Sequence, residues 1–181
     1  VIQFIGLLTI GFLLLHELLL SPLGMVLLVF ANDFITMSLA TDNVTATTNP
    51  NVWNVRDVTL ASLLLGVFLV AEGLIALLIG LKVFTIPPVG LQTYILLLLV
   101  FTSQFKIFIV RERRHFWSSM PGTALLVSAV CTVAVFFFLG IAGLLMKPIA
   151  LSEAAFTLIF SGLFTLSLDI PKTYIFQRFN L

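Results

Sequence analysis

The sequence predicts an all-α integral membrane protein of six transmembrane helices, and three observations carry that prediction. Only 9% of its 181 residues are charged and 60% are hydrophobic, whereas about a quarter of a soluble domain is charged. Apolar runs of near-span length recur along the chain, and its mean hydropathy is +1.20. The breaks between runs fall on turn-forming pairs, Ser21-Pro22, Pro87-Pro88, Pro121-Gly122 and Lys147-Pro148. About 20 residues rising 1.5 Å each cross a hydrocarbon core of about 30 Å. Only helices satisfy their own backbone in lipid without closing a barrel.

The first span covers about 1–20, "VIQFIGLLTIGFLLLHELLL", and starts inside an apolar run at Val1. That start carries no signal-peptide pattern and reads as a piece of a longer polypeptide or a chain trimmed at its front. Ser21-Pro22 turns the chain into the second span, about 22–40. Residues 41–57 are the long polar stretch. The third span is about 59–81, and "FTIPP" separates it from the fourth, about 89–110. The loop "RERRHFWSSMPG" leads to the fifth, about 122–146, and Lys147-Pro148 to the sixth, about 152–170. Together 1–181 make one transmembrane domain.

Basic residues orient it. With the loop after the second span inside, the inner side holds Arg56, Lys106, Arg111, Arg113, Arg114, Lys172 and Arg178, and the outer side Lys82 and Lys147. This bias puts both chain ends on the cytosolic side of a multi-pass cell-membrane protein. The Asn43 glycosylation sequon then falls in the cytosol and reads as chance. In the loop Arg111–Met120, arginine and tryptophan read as anchors of the helix ends, with lipid-headgroup binding as the alternative.

Several function classes are excluded. A net charge of +1 gives no footprint for nucleic acid. One cysteine, Cys131, allows no intrachain disulfide. His16 and His115 are not at metal-ligand spacing, so no metal site is expected. There is no Gly-rich phosphate loop and no Asp-Lys-Thr-Gly stretch, hence no soluble catalytic domain and no cofactor bound by this chain.

Ionisable groups inside spans cost a few kcal/mol on insertion scales and usually face a protein interior. Asp33 lies 11 residues beyond Pro22, about 16 Å along a helix, at mid-membrane. Asn32 precedes it and Thr36 follows at i+3. A buried carboxyl there suits a group that takes and releases a proton, or equally one that glues helices by a hydrogen bond. Asn32 can bond a neighbouring group and Thr36 can help solvate the carboxyl. Glu72 flanks a stripe of Gly66, Gly73 and Gly80 that lets helices approach closely. It reads as a carboxyl bonded across that interface, or as a second proton site. Lys106 can snorkel to the near surface or face inward with Gln92 and Ser103, and its depth does not pair it with Glu72. Asp169 pairs with interfacial water or Lys172. Gln3, Gly6, Thr9, His16 and Glu17 share one arc of the first span and are expected to face other helices.

The stretches "PLGMVLLVFANDFITMSLATDNV" and "NPNVWNVRDVTLASLLLGVFLVAEG" resemble the sixth helix, cytosolic loop and seventh helix of P-type ATPases. Their nearest likeness is to the plasma-membrane proton-efflux branch. "LQTYILLLLVFTSQFKIFIVRERRHFWSSMPG" is similar to the eighth helix and the turn after it, and "LDIPKTYIFQRFNL" to the family's ending. The resemblance implies helices five to ten, the carboxy-terminal transmembrane part of a proton-exporting pump. It implies Asp33 as the proton carboxylate, with the bilayer, the first helices and the soluble domains as partners. ATP and Mg2+ serve the full-length pump; this region alone is not catalytic. Residues 1–20 hold no Lys or Arg where the family often sets a basic counter-charge, and Gln3 stands nearest that level. A free-standing relic or regulatory subunit, and a pump for another cation, are the alternatives. Calcium or sodium would need more oxygen ligands than these spans offer.

Overall fold

The computed structural model describes residues 2–40, 42, 55–111 and 120–178. The Asn43 sequon and most of the Arg111–Met120 loop lie outside them. Seven helices follow one another: α1 (Ile2–Leu15), α2 (Pro22–Leu39), α3 (Val55–Lys82), α4 (Pro88–Val110), α5 (Thr123–Ala142), α6 (Leu151–Ser167) and α7 (Asp169–Arg178). No strand occurs among the described residues. Five stretches are long and apolar enough to cross a membrane: α2 to α5, and α6 run together with most of α7. The all-α membrane architecture is therefore as the sequence predicts.

Local chemistry sets the boundaries. Ser21 caps α2 by accepting a hydrogen bond from the Gly24 amide at 3.0 Å, and Pro22 opens the helix where its missing N–H costs nothing. Gly143 ends α5 at φ +68°, a left-handed cap that glycine adopts freely. The Ala150 amide donates to Glu153 Oε2 at 2.9 Å at the start of α6.

Four boundaries differ from expectation, one of them the end of the fifth helix, which stops at Ala142 rather than near 146 because Gly143 caps it. The first helix stops at Leu15, not near 20, because His16 turns the chain at φ 57°. Residues Leu19 and Leu20 are still buried, and Gln92 Nε2 holds the segment by donating to the Leu18 carbonyl at 3.0 Å. The third helix starts at Val55, inside the stretch read as loop. The sixth span does not stop near 170. It re-forms as α7 at Asp169, since Pro171 falls in the first turn, where a missing N–H is tolerated.

α4 is the central helix. Residues 93–104 are buried almost without exception, and α2, α3, α5 and α6 all pack on it. Its unbroken apolar run Ile95–Phe101 covers every side of the helix, and such a run belongs in a centre. Tyr94 hydroxyl donates to the Ala76 carbonyl at 3.1 Å and Gln104 Nε2 to the Ala31 carbonyl at 3.2 Å, so α4 is tied to α3 and α2 by buried polar contacts. On the outer surface the large side chains are apolar, among them Leu13, Met37, Val67 and Phe138, as a lipid solvent requires.

The bundle has two ends. At one, Thr93 donates to the Lys147 carbonyl and Gln92, near the start of α4, donates to the Leu18 carbonyl in the segment after α1. At the other, Arg111 bonds Asp42 at 2.8 Å, the Gly122 amide donates to Asp42 Oδ1 at 2.7 Å, and Lys172 Nζ donates to the Ile109 carbonyl at 3.0 Å.

Candidate transport site within the membrane

α2 buries Gly24, Leu28, Ala31 and Ile35, a stripe at helical spacing. Asp33, two residues and about 200° from Ala31, points the opposite way. The expected buried carboxyl is therefore corrected: Asp33 is exposed on the outer face of this bundle, beside Phe30, Phe34 and Met37. Asn32 is half-buried and Thr36 exposed. Neither side chain bonds a carboxyl among the described residues. Asn32 Nδ2 donates to the Leu28 carbonyl at 2.8 Å, and the Thr36 hydroxyl to the Asn32 carbonyl at 2.7 Å, so both bond α2's own backbone.

Glu72 lies in the core, fully removed from solvent. Thr102 on α4 donates its hydroxyl proton to Glu72 Oε1 at 2.7 Å, and Oε2 has no hydrogen-bond partner among the described residues. The bond across a helix interface is the one expected. The glycine stripe beside it is closely packed: a methyl group on Gly66 would meet Ile2 at 2.8 Å, and one on Gly73 would meet Leu7 at 2.7 Å.

Lys106 stands one turn beyond Thr102 on the same face of α4. It is half-buried and turned inward, 5.9 Å from the centroid of the Phe4 ring, and interacts electrostatically with Glu72. Among the described residues no ion pair or hydrogen bond joins these two charges, in line with the depth count, and Thr102 holds Glu72. Lys106 lines a cavity of about 570 Å³ at the Arg111 end of the bundle. Gln3, Asn32, Thr36, Ser103 and Lys172 also line it, while Asp33 and Glu72 do not.

The remaining candidate residues divide. Asp169 and Lys172 form a buried pair at 2.8 Å, as expected. On α1 the buried stripe is Gln3, Leu7 and Gly11; Thr9, His16 and Glu17 are exposed rather than facing other helices. Cys131 is exposed. The Arg111–Asp42 pair, whose side chains are both 1% exposed, was not among the expected contacts. Its signal lies in the sequence all the same: two opposite charges at span ends on the same side.

No protein-family model matches the sequence. Over 163 residues, 90% of the chain, it is 24% identical to a protein of Methanocaldococcus jannaschii provisionally named a cation-transporting ATPase. The chain spans only 20% of that relative's length. A bundle of apolar helices with an internal carboxylate and a lysine-lined cavity is thus similar, over most of its length, to a part of a protein provisionally named a cation-transporting ATPase.

Proposed function

We propose that the chain is the carboxy-terminal transmembrane region of a proton-exporting P-type ATPase, in the cell membrane, with Asp33 as its proton carrier. ATP hydrolysis and Mg2+ then belong to other domains of the pump. The observation that carries the reading is the position of Asp33. A carboxyl at mid-span facing lipid costs about 2.5–3.5 kcal/mol on insertion scales. Exposed Thr36 stands one turn along on the same face, so we read this as a surface for further helices of the pump rather than for lipid. Packed there, Asp33 meets water or a positive group in one conformation and an apolar wall in another, which is how a carboxyl takes up and releases a proton. A proton needs one titratable group, and Asp33 and Glu72 each stand singly, whereas calcium takes six to eight oxygens. Glu72 is the second proton site, with Asn32 and Thr36 shaping α2 beside Asp33.

The test is ATP-driven proton flux into inverted vesicles from cells making the complete pump. Asp33→Asn abolishes flux at matched expression, because an amide cannot titrate, and Glu72→Gln leaves partial flux. Normal flux with Asp33→Asn moves the site to Glu72.

A further inference from the structure

We propose that the cavity at the Arg111 end of the bundle binds the head of a single-chain amphiphilic anion, a fatty-acid carboxylate. Such binding is independent of whether the chain carries protons.

The cavity measures about 570 Å³, within the range of roughly 300–1,000 Å³ typical of small-molecule sites. Its walls are mainly apolar, with Ile35, Leu65, Leu69, Ile107 and Leu168 contributing from three helices and the α6–α7 junction. Such walls suit a hydrocarbon chain. Two groups in it have unmet hydrogen-bonding capacity. Lys106 carries an ammonium withdrawn from bulk water, and it makes no hydrogen bond among the described residues; its neighbours are the Phe4 ring and the more distant Glu72, which Thr102 holds. Gln3 is 2% exposed, and neither its Nε2 nor its Oε1 has a partner among the described residues. A buried polar group left so costs about 1–3 kcal/mol.

Both groups line the same cavity. The hydroxyls of Thr36, Ser103 and Thr165 already donate to backbone carbonyls. Lys172, also in the wall, is held by Asp169 and the Ile109 carbonyl. Among the described residues Lys106, Gln3 and the exposed Ser62 hydroxyl are therefore the lining donors left to a guest, and Lys106 is the charged one. A carboxylate's two oxygens accept from such donors. No carboxylate lines the cavity among the described residues, so a metal cation finds no anionic ligand in it. Depth fits as well. Lys106 precedes Arg111 by five residues, about 7 Å along the helix, near the headgroup–acyl boundary about 5–10 Å into the interface.

The test uses the intact protein in zwitterionic nanodiscs with a photoactivatable palmitate, read by mass spectrometry of cross-linked peptides. Cross-links are expected on the wall around Ile35, Ile107 and Leu168, removed by excess palmitate but not by inorganic phosphate. Lys106→Gln lowers them roughly tenfold or more, Lys106→Arg retains them, and Leu69→Trp, which fills the cavity, removes them. The decisive comparison needs no substitution: a photoactivatable hexadecanol, with the same chain and no charge, should label the wall weakly. Equal labelling by the alcohol, competition by phosphate, or wild-type labelling of a folded Lys106→Gln protein overturns the proposal.

Discussion

Arg111 and Asp42 meet at 2.8 Å with both side chains out of solvent, and Asp42 also receives the Gly122 amide. One aspartate thus joins the chain just after α2, the end of α4 and the approach to α5. Removing one partner of a buried pair leaves an uncompensated charge, at a cost of about 3–5 kcal/mol. Arg111→Met should lower the melting temperature in detergent sharply, and Arg111→Met with Asp42→Leu should recover a good part of the loss. A wild-type melt for the single variant would show the pair carries no stability. Glu72 obeys a different arithmetic. Gln in its place still accepts the Thr102 proton through its carbonyl oxygen, so Glu72→Gln should melt close to wild type. Glu72→Leu leaves the buried Thr102 hydroxyl without its acceptor and should cost about 1–3 kcal/mol. Equal melts for the two would mean that the 2.7 Å bond contributes nothing.

Among the elements, α1 and α3 show how small residues replace the missing hydrophobic drive between helices in lipid. Gly73 lets α3 approach Leu7 so closely that a methyl group would sit 2.7 Å from it, and Leu7 is fully buried with nowhere to turn. Gly73→Leu should destabilise the bundle by about 1–3 kcal/mol or more, well beyond Gly162→Ala, whose added methyl meets Phe105 at an ordinary 3.6 Å. Indistinguishable melts would place the stripe outside the packing. That stripe was legible because seven-residue spacing keeps residues on one helix face. So were the helices themselves, since lipid leaves the backbone almost no other choice. The stop at His16 was not legible, because the apolar run continues through Leu18–Leu20 and hydropathy registers no φ angle. α7 was missed for the converse reason: Pro171 reads as a terminator unless it falls in a first turn. For the candidate site, depth was legible and direction was not. A depth count places Asp33 at mid-span, but which face α2 buries depends on Gly24, Leu28, Ala31 and Ile35 finding α4 and α5 as partners.

For the whole molecule, α4 forms the hub on which α2, α3, α5 and α6 pack, and the bundle's outer face is largely apolar, Asp33 being an ionisable exception on α2. The two ends differ in charge. Arg111, Lys172 and the inward-turned Lys106 gather at the end that holds Asp42, while Lys82 and Lys147 belong to the other. Basic residues are retained on the cytosolic side during insertion, so the Arg111 end should face the cytosol. Two exposed positions at opposite ends test this, Met120 at 89% exposure beside Gly122 and Val83 at 69% beyond the end of α3. Cys131 is exposed and must first be replaced, as in Cys131→Ser. In that background, Val83→Cys should react with an impermeant thiol reagent added to intact cells, and Met120→Cys only after the membrane is opened. The reverse pattern would invert the molecule. It would also turn the Lys106 cavity, with Gln3 and Asn32 in its wall, toward the outside of the cell.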